Sequence, residues 1–87
     1  MKFQVLYRAS VKRDMRRLDA PTIKRIDAAI LGLADNPRPA GCIRLSGQSD
    51  LWRIRVGDYR VLYEIHDDRL IVVVVAVAHR REVYRGV

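Results

Sequence analysis

The sequence predicts an α+β domain in which a helical hairpin covers one face of a mainly antiparallel sheet. Three observations carry that prediction. Lys2 to Tyr7 has the period-two pattern of a strand, with Phe3, Val5 and Tyr7 on one side and Lys2, Gln4 and Leu6 on the other. Two apolar stripes at helical spacing follow, one on each side of Asp19-Ala20-Pro21. The second half then reads as three strands joined at Gly57-Asp58 and Asp67-Asp68. The order strand–helix–helix–strand–strand–strand gives a four-stranded sheet with both helices on one face.

Each element has a local reason. Ser10 offers an N-cap to a short helix whose apolar face is Val11, Met15 and Leu18 and whose outer face is Lys12, Arg13, Arg16 and Arg17. Pro21 suits the first turn of the next helix, where its missing N–H costs nothing. Ile23, Ile26, Ile30 and Leu33 form that helix's stripe, and Asp35-Asn36-Pro37 ends it. Residues 36–50 are rich in Pro, Gly and Ser and read as loop with a short extended piece at Cys42–Leu45. Leu51–Val56 and Tyr59–His66 flank the two-residue hairpin turn Gly57-Asp58. Leu70–Ala78 is a Val-rich run without alternation, the mark of a central strand covered on both faces.

Eighty-seven residues allow one domain, spanning 1–87, with a small core and modest stability. A composition that is 49% hydrophobic and 31% charged excludes a disordered or low-complexity chain. Seventeen Lys and Arg against ten Asp and Glu leave a net charge of +7, which points to a polyanionic or acidic partner. The single cysteine, Cys42, excludes an internal disulfide and a cysteine metal cluster, and His66 and His79 are too few for a typical zinc site. No metal and no cofactor is expected. Met1–Tyr7 lacks the apolar run of a signal peptide, and Leu70–Ala78 has about half the length that spans a bilayer. The expectation is a cytoplasmic protein with no membrane partner.

The hairpin carries the chemistry. A two-residue turn at Gly57-Asp58 sets Val56 opposite Tyr59, Arg55 opposite Arg60, Ile54 opposite Val61 and Arg53 opposite Leu62. Trp52, Ile54, Val56, Tyr59, Val61 and Tyr63 then share the core face, while Arg53, Arg55 and Arg60 share the other. Like charges facing each other across a sheet are unfavourable unless an anion neutralises them. Guanidinium groups suit phosphate because their planar donors bind two oxygens at once. A solvated basic face with Glu64 as partial counterion is the plainer alternative. His79-Arg80-Arg81-Glu82-Val83-Tyr84, just past the last strand, could converge on the same face.

These segments resemble the RelE/ParE toxin superfamily. Residues 51–65 are similar to its central signature, Ile43-Arg44-Leu45-Ser46-Gly47 to its lead-in, and Val77-Ala78-His79-Arg80-Arg81-Glu82-Val83-Tyr84 to its closing motif. The resemblance implies a RelE-like fold and a toxin of a type II toxin–antitoxin pair. Its RelE branch implies a ribosome-dependent endoribonuclease that cuts messenger RNA in the A site. There the ribose 2′-hydroxyl attacks the adjacent phosphate without a metal, and translation is inhibited. Antitoxin, ribosome and mRNA are the implied partners.

Carried over by motif, Arg60, Arg80 and Tyr84 fall on catalytic positions, the two arginines at the phosphate and Tyr84 at the base or as proton acceptor. Arg53, Arg55, Arg44 and Arg81 fall among RNA- and phosphate-binding positions, and His79 is a candidate acid or base. Some RelE toxins have lysines where Arg53 and Arg55 stand. Arginine hardly deprotonates, so the proton-accepting role shifts to Tyr84 or His79. The sequence ends three residues after Tyr84, which favours wrapping and charge masking by an antitoxin over displacement of a longer C-terminal helix. The alternative in the same superfamily is a ParE-type toxin that targets DNA gyrase and cuts no RNA. A further alternative is a binding module without catalysis.

Overall fold

In the computed structural model, which describes residues 2–45 and 50–81, seven elements follow one another: β1 (Gln4–Tyr7), α1 (Ala9–Met15), α2 (Ala20–Asp35), β2 (Ile43–Arg44), β3 (Leu51–Val56), β4 (Tyr59–His66) and β5 (Ile71–His79). The sheet order is β1-β5-β4-β3-β2. β1 runs parallel to β5, and every other neighbouring pair is antiparallel. The sheet therefore has five strands rather than the expected four. The extra one is the extended piece near Cys42, reduced to two residues paired with Trp52 and Arg53 of β3. None of the described helices is long and apolar enough to cross a membrane.

The helices differ in how well the sequence foretold them. Helix α2 begins with Pro21 in its first turn and ends where the Asn36 N–H reaches the Gly32 carbonyl, with Pro37 behind it. Helix α1 starts earlier than the Ser10 cap implied. The Arg8 N–H still donates to the Val74 carbonyl at 3.1 Å, so the chain stays extended through Arg8 and turns helical at Ala9. Ser10 thus lies inside the helix. The helix also stops at Met15, short of Leu18, which packs against the core from the turn beyond.

Burial follows the two periodicities. Val11 and Met15 of α1 and Ile26, Ile30 and Leu33 of α2 meet Ile54, Val61, Tyr63, Ile65, Val72, Val74 and Val77 of the sheet. Phe3, Val5 and Tyr7 border this core, while Leu6 is exposed. Tyr63 is fully buried and donates its hydroxyl to the Pro37 carbonyl at 2.8 Å. That bond satisfies both groups, and burial pushes the phenol well above its ordinary range.

The β5 run lacks alternation for two reasons. It lies between β1 and β4, as expected of a central strand. It also carries a bulge: Leu62 pairs with Ala76 and Tyr63 with Val74, which leaves Val75 unpaired. Val72, Val74 and Val77 therefore face the helices, while Val75 joins Leu51 and Leu62 in a second, smaller apolar cluster on the opposite face.

Candidate functional site

The β3–β4 register is the one the two-residue turn predicts. Arg55 lies opposite Arg60, and Arg53 opposite Leu62. Gly57 has φ +59, a left-handed conformation that a side chain would strain, while Asp58 stays outside that region; the pattern fits a type II′ hairpin turn. Arg53 and Arg60 are half-buried beside the Leu51–Leu62–Val75 cluster, and Arg55 is exposed. Arg53 Nε is buried with no hydrogen-bond partner among the described residues. A cationic group held partly out of water beside apolar side chains attracts an anion more strongly than a solvated one.

Arg80 arrives from β5. Its N–H donates to the Asp58 carbonyl at 2.7 Å, and its Nε stands 3.8 Å from an Asp58 carboxylate oxygen. Arg60 Nη1 donates to the Arg80 carbonyl at 3.4 Å. The hairpin turn and Arg60 thus hold the main chain from which Arg80 projects. Arg53, Arg55 and Arg60 share one face of the sheet, and the main chain of Arg80 meets Arg60 at its end.

Three other candidates are disposed differently. Arg44 pairs with Trp52, so it sits on the helix-side face, with its guanidinium 5.9 Å from the Trp52 ring centre. His79 pairs with Tyr59, also on the helix side, and the two rings meet edge to face at 5.3 Å. Arg81 is exposed, and its N–H donates to His79 Nδ1 at 3.2 Å. Tyr84, Glu82 and the lead-in's Ser46-Gly47 lie outside the described residues.

Glu64, the partial counterion of the plainer alternative, lies on the arginine face but is engaged by Arg8 at 3.2 Å and by His66 at 3.1 Å. The acid beside the site is Asp58. The sequence marks Asp58 only as a turn residue; the bulge between β4 and β5, which sets His79 opposite Tyr59 and brings Arg80 to Asp58, leaves no local signal. Elsewhere, Arg38 grips Asp67 with both terminal nitrogens at 3.1 and 2.8 Å and covers Trp52 at 4.9 Å. That fork holds the Asp67 carboxyl below the usual carboxylate range. It ties the loop after α2 to the β4–β5 turn, away from the arginine face.

The comparisons with known proteins agree with this architecture. The sequence model of the ParE toxin of the type II toxin–antitoxin system parDE matches residues 5–84. A protein named toxin RelE1 from Methanocaldococcus jannaschii is 30% identical over 89 residues, covering 99% of each chain. A protein named as RelE-like toxin from Escherichia coli is 29% identical, over 92% of this chain and 85% of its own. The crystal structure of the archaeal RelE–RelB complex from Pyrococcus horikoshii superposes with a TM-score of 0.84 at 25% identity, covering 95% of this chain and 100% of that one. The chain belongs to the RelE/ParE superfamily of toxins from type II toxin–antitoxin systems. Within it, this is a RelE-like toxin.

Proposed function

We propose that this toxin is a ribosome-dependent endoribonuclease that cleaves mRNA in the A site and so inhibits translation. The observation that carries the reading is the basic face on which Arg55 stands opposite Arg60 and Arg60 donates to the main chain of Arg80. In the proposed reaction the ribose 2′-oxygen bonds to the adjacent phosphorus as its proton leaves. The bond from phosphorus to the 5′-oxygen then breaks, and that oxygen takes up a proton. The products are a 2′,3′-cyclic phosphate and a 5′-hydroxyl. Arg60 and Arg80 oppose the extra negative charge of the phosphorane, which exceeds that of the starting diester, so their effect is largest at the transition state. Arg53 and Arg55 hold the neighbouring phosphates. Tyr84 takes the base-stacking and proton-accepting role, since no arginine can accept the proton. Only RNA offers the attacking hydroxyl, which restricts the substrate chemically.

The partner of the resting toxin is a cognate antitoxin, as in the RelE–RelB complex whose toxin this chain resembles. An acidic or amphipathic segment laid over the arginine face would neutralise the groups the reaction needs.

A second reading has one specific observation in its favour: the matching family model is that of ParE toxins. On that reading the target is DNA gyrase and no RNA is cut. Primer extension on a ribosome-bound message, with a naked-RNA lane and a plasmid supercoiling assay beside it, separates the two. Discrete stops within the A-site codon that need ribosomes and vanish in Arg60→Ala and Arg80→Ala support the nuclease. Loss of gyrase supercoiling without RNA stops supports the ParE-type reading. Stops on naked RNA as well would remove the ribosome from the mechanism.

A further inference from the structure

His79 lies at the edge of the arginine site but faces away from it. Its ring is on the helix side, edge-on to Tyr59 at 5.3 Å with an interplanar angle of 87°. Arg60, one residue further along β4, is on the opposite face and pairs with Ala78. Yet the imidazole touches the site through the main chain, because Nδ1 accepts the Arg81 N–H at 3.2 Å. A nitrogen that accepts carries no proton, so in this arrangement the neutral ring's proton is on Nε2. An Nδ1 lone pair aimed at a backbone amide is not aimed at a ribose hydroxyl on the other side of the sheet.

Three consecutive main-chain groups are pinned where β5 ends. Arg80 N–H goes to the Asp58 carbonyl at 2.7 Å, the Arg80 carbonyl receives Arg60 Nη1 at 3.4 Å, and Arg81 N–H goes to His79. The first two bonds come from the hairpin. The third comes from the residue just before Arg80. The peptide group between Arg80 and Arg81 is thus held by its carbonyl from the hairpin side and by its N–H from His79.

We propose that His79 is a positioning residue, an acceptor that fixes the Arg80–Arg81 main chain and thereby sets the Arg80 guanidinium beside Arg60. This deepens the nuclease reading and rests on it for its consequence in rate. The tertiary placement argues against the acid or base role that the sequence left open for His79, because the ring and the arginine face are on opposite sides of the sheet.

Two substitutions separate the possibilities. In His79→Asn the amide oxygen occupies nearly the position of Nδ1, so the acceptor survives and the ring is lost. In His79→Phe the ring against Tyr59 survives and the acceptor is lost. The readouts are single-turnover cleavage of ribosome-bound mRNA and hydrogen exchange of the Arg81 amide. The second needs no activity. Expected is that His79→Asn keeps a rate and an Arg81 protection close to the parent's. His79→Phe should lose about three- to tenfold in both, the worth of one ordinary hydrogen bond, with the loss in the single-turnover rate rather than in the half-saturating concentration.

A loss of about a hundredfold or more in both variants, as for a general acid or base, would overturn the proposal. So would unchanged Arg81 protection in His79→Phe. Should the parent show no cleavage at all, the nuclease reading fails, and the exchange arm still decides whether His79 holds the chain. If His79→Phe does not fold, His79→Ala replaces it in the exchange comparison, where protection equal to that of His79→Asn would sink the idea.

Discussion

Arg55 of β3 and Arg60 of β4 face each other directly across the hairpin, two cationic residues at one cross-strand position. Such a pair opposes folding by a fraction of a kcal/mol, so its presence in a small domain asks for a role beyond the fold. Arg55→Ala should therefore leave stability unchanged or raise it by about 0.2–1 kcal/mol in low salt, with the gain shrinking as salt screens the pair. The same variant should bind single-stranded RNA more weakly and with a shallower salt dependence. Urea unfolding and filter binding at two ionic strengths check both halves. Lower stability in Arg55→Ala would mean that the face is built for structure.

The hairpin turn depends on one backbone conformation. At Gly57, with φ +59, an added Cβ would lie 3.1 Å from Arg25 Nη2. The backbone strain is the larger effect, because the far end of an arginine side chain can move. Gly57→Ala should cost about 1–2 kcal/mol, and Gly57→Asn less, since asparagine tolerates the left-handed region. Arg25→Ala in the same background should recover only a minor part of the loss. A full recovery in a double-mutant cycle would locate the cost in the contact instead.

Tyr63 should dominate the alkaline limb of stability. Its phenol is buried, and its folded pKa lies above the ordinary value near 10. The folded state therefore holds this proton more tightly than the unfolded state. The associated stability is fully present below about pH 10 and is lost as pH rises above it. Tyr7, raised by burial and by the neighbouring Asp27 carboxylate, acts in the same direction. Tyr63→Phe should cost about 1–3 kcal/mol at neutral pH, because it leaves the Pro37 carbonyl without its donor. It should also fall off less steeply above pH 10 than the parent. Parallel curves for the two proteins would contradict the assignment.

The acid limb should show Arg38 and Asp67. The guanidinium fork depresses the Asp67 carboxyl, so the contribution is present above the unfolded carboxylate's pKa and is lost as pH falls through the lower folded value. Both side chains are well exposed, so the effect is small. Asp67→Asn should flatten the thermal midpoint below pH 4 slightly and leave it nearly unchanged at high salt. An unaltered acid limb in low salt would show that the fork contributes nothing in solution.

Much of the molecule was legible in local sequence. Pro21 and Asn36-Pro37 bracket α2 because each acts on its own neighbours' backbone. The register of β3 against β4 followed from the two-residue turn at Gly57-Asp58, which leaves no freedom in the pairing. Period-two alternation then divided the core residues of that hairpin from Arg53, Arg55 and Arg60 before any coordinates were needed. The same motif, with the closing His-Arg, identified the superfamily.

Tertiary structure decided what depends on segments distant in the chain. The N-terminus of α1 was set by Val74, whose carbonyl keeps Arg8 extended, and not by Ser10. The short extended piece legible at Cys42–Leu45 becomes a fifth strand, Ile43–Arg44, only because β3 offers it an edge. The bulge at Val75 added one residue to β5, which changed every pairing beyond it. That single insertion brought Arg80 to Asp58 and Arg60, and turned His79 toward Tyr59 and away from the arginines. Local sequence fixes which way a side chain points relative to its neighbours. Only the packed sheet fixes which distant residue it meets, because that depends on the sum of all the register steps between them.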